Sequence, residues 1–103
     1  MRFYNTKTDG ESFDDATIEA VWQKGIYYAV LPREFRKDSC GAKIQRSKYG
    51  KREQYGWEID HITPDDDDSI SNLRPLQWQN NLDKSDGRLK CNVTSDGKNN
   101  KEV

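Results

Sequence analysis

Residues 56–73 read GWEIDHITPDDDDSISNL, and this stretch decides how the middle of the chain folds. WEIDHI is β-prone and stops before Pro64, where the missing amide and the restricted preceding residue end regular pairing. Asp65 to Asp68 form a loop. NLRPL, from Asn72, is a second short extended piece, and QWQNNLDKSD then reads as a helix that Gly87 can terminate. The predicted order is strand, loop, strand, helix. Within it stands the only histidine of the chain, His61, directly behind Asp60 and four residues ahead of the aspartate run.

Outward from this stretch, FDDATIEAVWQKG predicts a helix capped by Asp14 or Asp15, with Ile18, Val21 and Trp22 at helical spacing and Gly25 as its stop. IYYAVL is β-prone up to Pro32, and CGAKI and LKCNV alternate as half-buried strands do. YGKREQYG is a turn-rich connector. From Ser95 onward the chain is polar and is expected to fray. The expected organisation is an N-terminal extension over 1–12, one domain over 13–94 with its core at about 57–87, and a flexible C-terminal tail over 95–103. The expected class is α+β.

A chain of 103 residues with 32% apolar and 34% charged side chains is expected to have a small, aromatic-rich core, its three Trp, five Tyr and three Phe partly compensating for the low apolar fraction. No apolar run approaches the roughly 20 residues that cross a bilayer, and the N-terminus lacks the apolar stretch of a secretory signal. Cys40 and Cys91 stand far apart and in no C-x-x-C pair, so both are expected to be small buried hydrophobes. These features predict a soluble protein of a reducing, cytoplasmic compartment with no membrane partner. The net charge is −1, but Arg33 to Gly56 holds eight basic residues against three acidic ones, whereas Trp57 to Leu82 holds six acidic residues against Arg74 alone. A basic segment beside an acidic one suits a protein that grips a polyanion with one surface and holds a cation with another; ordinary solvated surface is the plainer alternative.

The chemistry-bearing residues are Asp60, His61, Asn72, Asn81 and Lys84. Hydrolysing a phosphodiester requires a water deprotonated near neutral pH, relief of the charge gathering on phosphorus, and neutralisation of the leaving 3′-oxygen. A neutral histidine suits the first task and a hard divalent cation the other two. Oxygen donors such as Asp60 and the Asn81 carbonyl suit Mg²⁺. Neighbouring strand residues face opposite ways, so convergence of Asp60 and His61 on one phosphate predicts irregular backbone there. Glu58 shares a strand face with Asp60 and is either a contact to a metal-bound water or an exposed carboxylate. Trp22, Trp57 and Trp78 are expected in the core.

EIDHITP…SNLRPLQWQNNLDKSD resembles the HNH endonuclease family of the ββα-metal (His-Me finger) fold. The pattern D-H-I-x-P, N-L, N-x-x-K-x-D is met by Asp60 to Pro64, by Asn72-Leu73 and by Asn81 to Asp86. The resemblance implies His61 as general base, Asp60 and Asn81 as ligands of one divalent cation (Mg²⁺, with Mn²⁺ as the alternative), and Asn72 as the residue fixing the loop and the histidine backbone. Lys84 would contact phosphate, together with a DNA-binding cluster of Arg46, Lys48, Lys51 and Arg52. Many members carry two C-x-x-C pairs holding a structural zinc. Here Gln77 and Asn80 replace the downstream pair, so no zinc is expected, with Trp57, Trp78 and Ile44 packing in its place. The loop from His61 to Asn72 is shorter than usual and carries DDDD instead of Gly-Gly.

The implied function is metal-dependent hydrolysis of double-stranded DNA, nicking one strand per site with weak sequence preference, so that double-strand breaks would require a homodimer or two encounters. Two alternatives stand beside it. One is a catalytically weak nucleic-acid-binding or protein-interaction module on the same fold. The other is the toxic nuclease domain of a larger effector, held in check by an inhibitor partner.

Overall fold

Asp14 caps the first element by accepting from Thr17 N at 2.8 Å, and α1 runs Asp15–Trp22. Its buried residues are Ile18, Val21 and Trp22, the three at the predicted spacing. The helix ends where Arg36 reaches its carbonyls: the guanidinium donates to Gln23 O at 2.9 Å and to Gly25 O at 3.4 Å, the cation–carbonyl pairing that the C-terminal end of a helix favours. Gly25 is required because a Cβ there would lie 2.9 Å from the Arg36 Cβ. This computed structural model describes residues 5–28, 33–63, 67–82, 89–97 and 99–103.

The described residues form a small α+β domain with one α-helix and three antiparallel hairpins. β1 (Phe35–Lys37) pairs with β2 (Lys43–Gln45), β3 (Trp57–His61) with β4 (Leu73–Gln77), and β5 (Val93–Asp96) with β6 (Asn99–Glu102). Short 3₁₀ turns at Arg46–Lys48, Ile70–Asn72 and Trp78–Asn81 link them. The core joins α1 to the central hairpin through Phe13, Ile18, Val21, Trp22, Ile44, Trp57, Ile59 and Leu73. Trp22 and Trp57 meet with centroids 5.2 Å apart, and Tyr49 packs edge-on to Trp57 at 4.9 Å. No helix is long and apolar enough to cross a membrane among the described residues.

The β1–β2 turn is organised by Asp38. Its Oδ1 accepts from Cys40 N and Ala42 N, both at 2.9 Å; its Oδ2 accepts from Gln77 N and Asn80 Nδ2, also both at 2.9 Å. Burial pushes this carboxyl up, while the four N–H donors pull it the other way. Asn80 carries the connection onward, accepting from Asn92 N and Val93 N and donating to Val93 O. Beside it Cys40 and Cys91 form a disulfide across 51 positions.

Several expectations are corrected here. Cys40 and Cys91 are bonded to each other, so the inference of a reducing compartment loses its premise. CGAKI becomes a strand only from Lys43, because Cys40 and Gly41 belong to the Asp38 turn. In IYYAVL, Ile26 makes one bridge to Lys37, Tyr27 and Tyr28 lie outside any strand, and the remaining residues lie outside the described ones. LKCNV yields a strand starting at Val93. The expected flexible tail is instead the β5–β6 hairpin, with Asn100 bonded to Lys43 N and O and to Gln54 O. After β4 the described chain turns as 3₁₀ over Trp78–Asn81, and 83–86 of the expected helix, with its expected stop at Gly87, lie outside the described residues.

Replacing both Cys40 and Cys91 by Ser is expected to lower stability by about 2–4 kcal/mol, as closing a loop of this length implies. Asp38→Ala strands three buried donors, at about 1–3 kcal/mol each, and is expected to cost about 3–5 kcal/mol. Urea unfolding midpoints check both values and their order.

Candidate functional site

β3 is buried along its whole length, and its two faces differ in kind. Trp57, Ile59 and His61 alternate onto the face that packs on the core, where the His61 ring lies 6.0 Å from that of Phe13. Glu58 and Asp60 alternate onto the other face. The register Asp60↔Arg74 and His61↔Leu73 is regular. The backbone irregularity expected at Asp60–His61 is therefore absent, and the two side chains leave the strand in opposite directions.

Asp60 Oδ2 accepts from Arg74 Nε at 2.8 Å, a pair that cross-strand neighbours form readily. Asn81 reaches the same face from the 3₁₀ turn after β4: its Nδ2 donates to Glu58 Oε1 at 3.0 Å. Arg52 Nε lies 3.9 Å from Glu58 Oε2. Glu58 is thus buried, not an exposed strand carboxylate. Glu58, Asp60 and Asn81 form an oxygen-rich group on one face, with two guanidiniums at its edge.

His61 Nε2 lies 2.7 Å from Asp68 Oδ1. Asp68 also accepts from Thr8 N at 3.0 Å and from Thr8 Oγ1 at 2.9 Å. Burial pushes the Asp68 carboxyl up, but the hydrogen bonds from His61 and Thr8 outweigh it and hold it below the usual carboxylate value. Asn72 ties the intervening loop. Its Oδ1 accepts from Thr63 N, its Nδ2 donates to Thr63 O and Asp67 O, and its carbonyl accepts from Ile62 N at 2.8 Å. Lys24, from the end of α1, donates to Ile70 O and Leu73 O and pins the far side of the same loop.

Three contributors were not picked out from the sequence. Asp68 is one of four consecutive aspartates, and spacing does not distinguish it from the others. Arg74 signals itself only once the register sets it opposite Asp60. The segment read as an N-terminal extension supplies Thr8 and also Asn5, whose Oδ1 accepts from Ile59 N and Tyr49 Oη, both at 2.8 Å. Of the expected DNA-binding cluster, Arg46 pairs with Glu19 at 3.1 Å and Lys48 with Glu53 at 2.9 Å. Lys51 is exposed, and Lys84 lies outside the described residues.

Because the folded Asp68 carboxyl titrates below its unfolded value, its pairing stabilises the protein above about pH 4 and is lost as pH falls through the folded value. Asp68→Asn is therefore expected to flatten the acid limb of stability against pH while lowering stability at neutral pH, as read from urea midpoints across an acid series.

Among the described residues no group of three or more His, Cys, Asp or Glu side chains is placed to hold a metal. The chain matches no protein-family model, no characterised protein and no solved structure.

Proposed function

We propose that the chain is a metal-dependent nuclease of the ββα-metal type that nicks DNA with little sequence preference. The observation that carries this reading is the hydrogen bond from Asn81 to Glu58, which spans 23 positions and sets the Asn81 amide on the face that Asp60 shares. Asn81 donates through its nitrogen to Glu58, which leaves the amide oxygen as its donor to a cation. With the Asp60 carboxylate, this is a hard-oxygen set of the kind Mg²⁺ takes while keeping several waters. Arg74 already places positive charge against Asp60, so the carboxylate is shaped to receive a cation and must release the guanidinium to bind one.

When bound, the ion would polarise the phosphate and stabilise the leaving oxygen. The remaining work falls to the chain. His61, whose Nε2 lies 2.7 Å from Asp68 Oδ1, is the imidazole that would take the proton of the attacking water, and the contact with Asp68 fixes its ring. Asn72 holds the backbone that follows His61. Arg52 and Arg74 flank the carboxylates, where the phosphate charge would enter.

A second reading rests on the closure of the site. His61 is 3% exposed and in contact with Asp68, and Asp60 is paired with Arg74, which suits a nucleic-acid-binding module that retains the fold without cutting.

Plasmid nicking with Mg²⁺, Mn²⁺ or EDTA separates the two. The nuclease reading expects relaxed circles with metal only, and a loss of about 100-fold or more in His61→Ala, the range of a general base. Cutting that survives EDTA, or is unchanged in His61→Ala, removes this mechanism. Binding to DNA with no metal-dependent cutting leaves the second reading standing.

A further inference from the structure

The outer face of the β1–β2 hairpin carries charge that the fold does not use. Phe35 is registered with Gln45 and Lys37 with Lys43, so these four side chains share one face, while Arg36 and Ile44 are buried on the other. Like charges directly opposite each other weaken a hairpin. Neither lysine has a carboxylate partner among the described residues, in contrast to Arg46 and Lys48. Both ammoniums sit instead near the Tyr28 ring, at 4.8 Å for Lys37 and 5.4 Å for Lys43. Phe35 meets Tyr55 edge-on at 5.7 Å. Two uncompensated cations and a cluster of rings thus lie together at the surface.

We infer that this face binds single-stranded nucleic acid, with Lys37 and Lys43 on successive backbone phosphates and the Tyr28 ring against an unstacked base. Charge complementarity selects a polyanion. The aromatic component selects a single strand, because a duplex keeps its base faces stacked inside and an acidic peptide has none to offer. Two phosphates bound here would turn a repulsive register into a binding one. The inference does not depend on the nucleolytic reading, since binding at this face needs neither His61 nor a metal.

Fluorescence anisotropy in EDTA tests it on the full chain, using a labelled short oligothymidylate, a labelled duplex of mixed sequence and poly-L-glutamate as competitor. The oligothymidylate should bind more tightly than the duplex and resist the competitor. Tyr28→Ala should weaken it by about fivefold or more, the lower end of what one base stack contributes, while Tyr28→Phe keeps it. Lys37→Ala with Lys43→Ala should weaken it and reduce the slope of log K against log salt by about 1.4, two single-strand phosphates' worth. These two lysines face outward, so the double variant tests the face even if Tyr28→Ala fails to fold. Equal or tighter binding of the duplex, displacement by poly-L-glutamate, or an unchanged salt slope in the lysine variant overturns the inference. Plasmid nicking that persists in that variant would leave the nuclease reading intact.

Discussion

The carboxylate of Asp38 is the contact on which the remaining architecture depends. It receives N–H donors from its own turn, from the last residue of β4 and from the 3₁₀ turn that carries Asn81. A buried polar group is costly when partly satisfied and specifying when fully satisfied. With two donors on each oxygen, Asp38 is fully satisfied. It fixes where β4 ends relative to the first hairpin, and therefore where Asn81 emerges beside Glu58. Gln77, through its backbone N–H, and Asn80, through its side-chain amide, are the two residues it holds. The aromatic filling expected at this point is only partly realised: Trp57 and Ile44 are in the core, but Trp78 is half-buried and its indole donates to Glu53 O at 2.8 Å.

From that anchor the central hairpin divides its labour by face. One side of β3 supplies apolar packing to α1, and the other buries carboxylates against guanidiniums and an amide. Breaking a buried pair by removing one partner costs far more than the pair contributes when intact. Arg74 and Asp60 are consequently bound to each other's presence, and any cation that replaces Arg74 must supply comparable charge at once. The strand's regularity sets His61 on the apolar side, where Asp68 meets its imidazole and the bonds of Asn72 hold the neighbouring chain.

The sequence exposed those parts of the fold that apolar pattern and chain stiffness control. β3 and β4 lie where WEIDHI and NLRPL placed them, and Asp14 caps a helix with the expected buried face. What it concealed is held by polar side chains and a covalent bond. The β5–β6 hairpin has one buried apolar residue, Val93; Asn80, Asn100 and the disulfide hold the rest. An asparagine side chain can mimic a strand edge, giving a donor and an acceptor in the spacing of a peptide group, and no periodicity announces it. Asn5 gives β3 an acceptor in the same way, taking the Ile59 N–H on its Oδ1. Gly56 is another such case: a Cβ there would fall 1.7 Å from Lys51 O, a close approach that only the folded connector reveals.

Charge counting misled for a related reason. The run Asp65–Asp68 reads as four equivalent solvated carboxylates that would repel a phosphate. In the fold Asp67 accepts from Ser69 N and Oγ and its carbonyl receives the Asn72 amide, whereas Asp68 faces the imidazole and the Thr8 hydroxyl. Two of the four are thereby assigned to holding the loop and the histidine. The basic run shows the converse, since its most obvious members, Arg46 and Lys48, are neutralised by Glu19 and Glu53. Lys37 and Lys43 were counted in that run only as part of its sum. The field a polyanion meets is set by which charges lack a partner, and that is a property of the register: a single-residue slip of β1 against β2 would separate Lys37 from Lys43 and break up the pair.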